Sequence, residues 1–236
     1  PANNLVHREV LVPDGISFTS RRAEDEADRE FLASEDHWSR FTQARTGPGG
    51  CLYVVDFYRL ILEHPEWIPP QMLAHLDLYA GGDKGRIYRI GPIGHMRRIG
   101  PMALDSPNGL MRDMAQRLLI EKKATWSTDT LHRSPAIAVQ QLWTMHTLGT
   151  LKPSHLRSAF QSPLPQVREH AIRLAEGRDM TADLIRLQND PDIRVRTQLA
   201  FSLGEASNET LSALVKADPA NKNLLIAALS SSPNQD

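Results

Sequence analysis

An eight-residue pattern recurs along the second half of this 236-residue chain. Arg112-Asp-Met-Ala-Gln-Arg-Leu-Leu119 aligns with Arg168-Glu-His-Ala-Ile-Arg-Leu-Ala175 at an offset of 56, and Arg196-Thr-Gln-Leu-Ala-Phe-Ser-Leu203 follows 28 residues later. Gln141-Leu-Trp-Thr-Met-His-Thr-Leu148 falls near the half-period between the first two copies. A proline precedes each unit, at Pro107, Pro135, Pro163 and Pro191. Proline suits the first turn of a helix, where its missing N–H costs nothing. A period near 28 therefore predicts stacked helix pairs, each burying one stripe on its neighbours. The pattern sits on the second helix of each pair. First helices are expected over Pro153–Gln161, Thr181–Gln188 and Asn208–Lys216. Trp143, Met145, Leu148, Leu174, Leu199 and Leu203 read as their core, and the recurring Arg112, Arg168 and Arg196 as a salt-bridged face. The polar tail Ser230–Asp236 is expected to fray.

The first half has different chemistry. Residues 1–104 hold 10 of the 14 glycines and 10 of the 14 aromatic residues, whereas residues 105–236 hold 15 alanines. Glycine and aromatics suit turns and strands; alanine suits closely packed helices. Strands are expected at Leu5–Val12, Ile16–Ser20, Trp38–Thr46, Cys51–Val55 and Arg86–Ile90. Turns are expected at Pro13-Asp14-Gly15 and Gly47-Pro-Gly-Gly50. The continuous apolar run Cys51-Leu-Tyr-Val-Val55 predicts a strand covered on both faces. Arg22–Arg29 is a charged loop or short helix. Ile68, Met72 and Leu76, at helical spacing, place a helical insertion near 65–78. About four strands make one blade of a β-propeller, a unit that needs neighbours because its two apolar faces are otherwise open. The expected organisation is β followed by α in two domains: a mostly antiparallel terminal blade over 1–95, a Gly- and Pro-rich linker over 96–104, and an α-solenoid over 105–236.

Several classes of chemistry are excluded. The formal net charge is −1 and neither half is basic, so no global field attracts nucleic acid. The single cysteine, Cys51, rules out an internal disulfide, a cysteine-based zinc site and a CxxCH haem site within this chain. The thiol is expected to be buried and inert. The nine histidines form no HExxH or ligand-like cluster, so no metal is expected. Gly81-Gly-Asp-Lys-Gly85 lacks P-loop spacing, and Glu35-Asp-His37 reads as a solvated loop. No run approaches the ~18 apolar residues of a membrane helix. The chain starts at Pro1 and shows no leader, which leaves its compartment open.

Five segments together carry a resemblance: Asn4-Leu-Val-His-Arg-Glu-Val-Leu11, Glu30-Phe-Leu-Ala-Ser34, Gly47-Pro-Gly-Gly-Cys-Leu-Tyr-Val-Val-Asp-Phe-Tyr-Arg59, Glu63-His-Pro-Glu-Trp-Ile-Pro69 and Gly85-Arg-Ile-Tyr-Arg-Ile90. They resemble the closing blade of bacterial membrane-bound dehydrogenase type proteins. Those proteins have a six-bladed propeller similar to quinoprotein sugar dehydrogenases, then HEAT repeats, then a C-terminal cytochrome c domain. Val195-Arg-Thr-Gln-Leu-Ala-Phe-Ser-Leu-Gly204 is similar to a generic HEAT helix. The chain differs in having Gly-Pro-Gly-Gly where Gly-Pro-Asp-Gly is common, and in lacking CxxCH. The resemblance implies an internal fragment of a longer periplasmic or cell-envelope protein. It implies pyrroloquinoline quinone or Ca²⁺ in the parent, haem c only in a missing C-terminal domain, and no cofactor within this chain. The implied partners are the remaining blades and a protein or carbohydrate ligand, with no nucleic acid and no membrane span here.

The candidate site residues lie in the first half. Arg40 is a candidate for bidentate pairing with quinone carboxylates. Asp56, Tyr58 and Arg59, at the end of the Leu52–Val55 run, are candidates for a cation or a substrate hydroxyl. His64, between Glu63 and Pro65, is the candidate general base. His7 and Arg8 alternate on an early strand, so only one can face a propeller axis; His7 is the binding candidate. Arg86 and Arg89 are expected to pair with acidic neighbours across the sheet. Two functions follow: part of a sugar or alcohol dehydrogenase, the blade lining a ligand funnel and the repeats acting as spacer or docking surface, or a non-catalytic carbohydrate- or protein-binding scaffold.

Overall fold

The computed structural model describes residues 3–92 and 103–231. Residues 96–102 of the expected linker lie outside them. The chain divides into a β-rich unit before the linker and a helical unit after it; the hairpin tip Pro13–Phe18 falls outside the first.

Among the described residues the β-rich unit has seven strands in three separate sheets, rather than one four-stranded blade. Strand β1 (Leu5–Val6) pairs antiparallel with β4 (Leu32–Ala33). Strands β2 (Glu9–Asp14) and β3 (Ser17–Arg22) form a hairpin. The expected first strand is thus interrupted at His7-Arg8. Pro13 lies inside β2, and the two-residue turn is Gly15-Ile16, with Gly15 at φ +59°. A two-stranded ribbon tolerates Pro13 because an edge position needs no N–H on its outer side. A 3₁₀ turn, Glu24–Glu26, follows within the charged segment.

Strands β5 (Phe41–Thr46), β6 (Leu52–Asp56) and β7 (Arg86–Ile90) make an antiparallel meander in the order β5-β6-β7. Gly47-Pro-Gly-Gly50 closes the first hairpin, with Gly47 N–H donating to Cys51 O at 2.8 Å and Gly50 N–H to Gly47 O at 3.0 Å. Gly50 sits at φ +80°. A Cβ on Gly47 would run into the Tyr53 ring, so any side chain there requires that ring to move. Two expectations change. The Trp38-Ser39-Arg40 stretch precedes β5 instead of belonging to it. The run Leu52–Asp56 is not covered on both faces: Val54 and Asp56 are buried, while Tyr53 on the opposite face is exposed. An apolar run fixes a strand but not which face finds a neighbour.

The β6–β7 connection holds a 3₁₀ turn (Pro65–Trp67) and one helical turn, α1 (Pro70–Leu73). The Ile68–Met72–Leu76 spacing does not form one helix. Pro69 pushes Ile68 into extended backbone (φ −95°, ψ 127°), and Met72 is exposed.

The helical unit contains α2 (Gly109–Glu121), α3 (Pro135–Thr147), α4 (Pro153–Phe160), α5 (Pro165–Ala175), α6 (Thr181–Ile185), α7 (Ile193–Leu203), α8 (Asn208–Ala217) and α9 (Lys222–Ser231). The expected first helices begin where α4, α6 and α8 begin, and α6 ends three residues early. Helices α2, α3, α5, α7 and α9 pack in succession, and α4, α6 and α8 pack on α5, α7 and on α7 with α9. Between α2 and α3 the described chain has no helix; Trp126 and Leu131 from that stretch pack against the core instead. One buried cluster runs from Ala138 to Ala228 and includes Leu142, Met145, Leu174, Leu199 and Leu203.

The recurring arginines do more than line a face. Arg112, Arg168 and Arg196 each donate through a terminal nitrogen to a carbonyl six residues back, those of Ser106 (2.8 Å), Ser162 (2.7 Å) and Asp190 (2.6 Å). Each also reaches the next repeat: Gln140 at 3.0 Å, Asp190 in a bidentate pair at 2.7 and 2.8 Å, and Asp218 at 3.9 Å. The Ser-Pro or Asp-Pro step before α2, α3, α5, α7 and α9 (Ser106, Ser134, Ser162, Asp190, Asp218) keeps the 28-residue period through five copies. The period thus carries both the carbonyls that arginine clamps and the carboxylates it pairs with.

Candidate functional site

Asp56 ends the central strand of the meander with its side chain buried, 1 % exposed. A buried carboxylate must find donors, because water no longer solvates it. Four are present. Ser39 Oγ donates to Oδ2 at 3.0 Å and the Arg40 amide to Oδ1 at 2.7 Å. The Tyr58 amide donates to Oδ1 at 3.1 Å and Arg86 Nε to Oδ2 at 3.0 Å. Arg86 is the cross-strand partner of Asp56 in the β6–β7 register, as pairing across the sheet predicts. The Asp56 contacts tie the segment before β5, the end of β6 and the start of β7 to one carboxylate.

Arg40 lies beside this centre. One terminal nitrogen donates to Asn4 Oδ1 at 2.6 Å and to the carbonyls of His37 and Ser39, and the other to Leu60 O at 3.2 Å. Tyr58 takes a left-handed conformation, φ +51°, which turns the chain out of β6. Its ring lies under the Arg86 guanidinium, 4.4 Å from the centroid, and 5.9 Å from the Trp38 ring. A hydrogen bond to the Asp36 carboxylate, with burial second, holds the Tyr58 hydroxyl above its usual pKa. Asp36 itself is held below the ordinary carboxylate range, first by the Trp38 amide. Arg59 donates to Gly81 O at 3.0 Å and stacks 4.5 Å over the Phe57 ring.

The structure therefore brings Arg40, Asp56, Tyr58 and Arg59 together, with Asn4, Asp36, Trp38, Ser39 and Arg86 as their partners. The sequence reading singled out neither Asn4 nor Ser39, and it took Asp36 as part of a solvated loop, whereas Asp36 meets the Tyr58 hydroxyl and the Trp38 amide. A signal for Asp36 was available: an Asp two residues before Trp38, in a Ser-x-Asp-x-Trp stretch, is an Asx-turn pattern.

His7 and His64 stand elsewhere. His7 bonds Glu30 at 2.7 Å and Glu9 at 3.2 Å, and these carboxylates raise its pKa, Glu30 first. Glu30 is in turn held low by His7 and Arg22. Arg8 pairs with Asp25 and Glu26. His64 is exposed; its Nδ1 accepts the Glu66 amide at 3.4 Å and caps the 3₁₀ turn. Cys51 is half-buried.

Both terminal nitrogens of Arg40 and both oxygens of Asp56 are taken by internal partners, while Arg40 Nε is buried without a hydrogen-bond partner among the described residues. A quinone carboxylate or a Ca²⁺ ion would have to displace those bonds, so these residues do not fit either group as they stand. Among the described residues no group of three or more His, Cys, Asp or Glu side chains is placed to hold a metal ion. No helix among them is long and apolar enough to cross a membrane. Two open pockets lie in the helical unit. One, about 490 Å³, is lined by Leu118, Leu119 and Trp126 with Lys122. The other, about 460 Å³, is lined by Arg157, Arg168 and Arg186 with Asp183 and Asp190.

Residues 1–93 match a family described as a domain of unknown function, DUF7133. No curated protein and no solved structure matches the chain.

Proposed function

We propose that this chain is a structural portion of a propeller protein similar to the bacterial membrane-bound dehydrogenases. In this reading its β-rich unit is part of a blade completed by other strands, and its helical unit is a HEAT-like solenoid acting as spacer and docking surface. One observation carries the reading. The meander leaves one face open, with Tyr53 exposed and Ile87 66 % exposed on neighbouring strands. In a propeller such a face packs on the next blade. The committed partners of Arg40 and Asp56 support a bracing role for the residues that carry the resemblance. Quinone and Ca²⁺ chemistry would then belong to other blades, haem c to a separate domain, and the whole to the periplasm or cell envelope.

The experiment compares the 236-residue chain with the whole product of its gene. Hydrogen exchange at β5 and β7 amides should slow strongly in the whole product, where neighbouring strands cover them. Equal exchange in both would overturn the blade. With quinone, Ca²⁺ and an artificial electron acceptor, the 236-residue chain should oxidise no sugar or alcohol. Turnover by this chain alone, lost in Arg40→Ala or His64→Gln, would overturn the bracing role and restore those residues as a site.

A further inference from the structure

The pocket beside α2 has an unmet donor in its wall. Its volume is about 490 Å³, the size of a small-molecule site. The walls all belong to the helical unit: Leu118 and Leu119 on α2, Trp126 in the helix-free connection to α3, and Gln141 on α3. Gln141 is 9 % exposed. Its Oε1 accepts the His132 amide at 2.9 Å, which sets the orientation of the carboxamide. Its Nε2 has no acceptor among the described residues. A buried N–H group of this kind needs an acceptor. Lys122, at the C-terminal end of α2, lines the same pocket, and the neighbouring Glu121 pairs with Arg117 instead.

These groups select a ligand by what they lack. Two leucines and an indole offer a surface to an apolar body. A primary amide and an ammonium offer donors, so the complementary head is an acceptor with negative charge. A carboxylate meets both, one oxygen for each. Asp105 is the one acidic side chain among the described lining residues, and it repels such a head. It is exposed and screened by water. Gln141 decides the sign, because its buried N–H can take only an acceptor. We infer that this pocket binds a small amphipathic carboxylate, with the apolar body against Leu118, Leu119 and Trp126 and the carboxylate at Gln141 Nε2 and Lys122. Such a site gives the helical unit a ligand of its own, beyond a spacer or docking role.

The test titrates naphthoate and octanoate into the 236-residue chain by calorimetry, with naphthylmethanol and octanol as neutral counterparts. At least one carboxylate should bind with a Kd below about 1 mM, and about tenfold more tightly than its alcohol. Gln141→Glu keeps the acceptor for the His132 amide and sets a like charge against the probe. Lys122→Gln removes the ammonium from an exposed position. Each should weaken binding about tenfold or more, the loss of a charge-assisted hydrogen bond, with helical circular dichroism unchanged. Asp105→Asn should tighten binding, and Arg186→Gln, in the other pocket, should leave it unchanged. Binding of neither carboxylate, or equal binding of acid and alcohol, would overturn the inference. So would binding that survives both Gln141→Glu and Lys122→Gln, that weakens in Asp105→Asn, or that Arg186→Gln abolishes. These outcomes are separate from those of the blade reading, which concerns β5 and β7.

Discussion

Asp56 shows how one side chain sets the conformation of three segments. Its carboxylate has four donors, and removing it strands an arginine, a hydroxyl and two amides in a partly dry site. Asp56→Ala should lower stability by about 2–4 kcal/mol, the range for breaking a buried, hydrogen-bonded pair, read by urea unfolding followed at the β-rich unit's tryptophans. His170 gives a pH dependence with a defined sign. Its Nδ1 accepts the Trp143 indole N–H at 3.1 Å, and burial, its leading cause, holds its pKa below the ordinary 6.5. The unfolded chain then binds the proton more readily than the folded one. The contribution is complete above about 6.5 and is lost as pH falls from there toward the lower folded value. His7 has the reverse sign: its raised pKa favours the folded form below 6.5 and loses its effect as pH rises through the folded value, weakly because the group is exposed. Thermal melts at pH 7.5 and 5.5 should show a smaller difference for His170→Gln than for wild type. An unchanged difference would mean the ring is not kept neutral.

At the scale of elements, the helix pairs are joined by the arginine clamp as well as by the apolar stripe. Arg168 and Asp190 are both nearly buried, bidentate, and belong to successive repeats. Asp190→Ala leaves a guanidinium without its partner and should cost about 3 kcal/mol. Replacing the pair by Arg168→Met with Asp190→Leu should cost less than Asp190→Ala alone, since a well-packed apolar pair removes both desolvation penalties. A double mutant no more stable than Asp190→Ala would show that the carbonyl bond from Arg168 to Ser162 matters more than the ion pair. The helix start at 153 was legible because proline suits a first turn; those at 181 and 208 follow Met180 and Ser207, neither of which caps its helix through the side chain, and they were legible from the period. The end of α6 was not, because Arg186–Gln188 continues a helical composition while its backbone turns toward α7. The strand at 52–56 was legible from its apolar run. Its open face was not, since covering depends on what the rest of the molecule brings alongside.

For the whole molecule, the two units differ in how much core they own. The described β-rich residues bury three apolar side chains, Ala23, Phe41 and Val54, whereas the helical unit buries one continuous cluster. Limited proteolysis of the 236-residue chain should therefore cut first between residues 57 and 85 and leave a resistant fragment spanning α3–α9. Earlier cleavage within α5 or α7 would contradict that ranking. The sequence by itself determined the order of β before α, the 28-residue register, the prolines that start the helices and the arginine that recurs between repeats. All are local or periodic, and chemistry within a few residues sets them. Only the tertiary structure decided that Asp56 would gather Ser39, Arg40, Tyr58 and Arg86, and that the described strands would divide into three sheets. Those outcomes depend on residues distant in the chain competing for the same donors and the same apolar surface, and no spacing along the sequence records which of them wins.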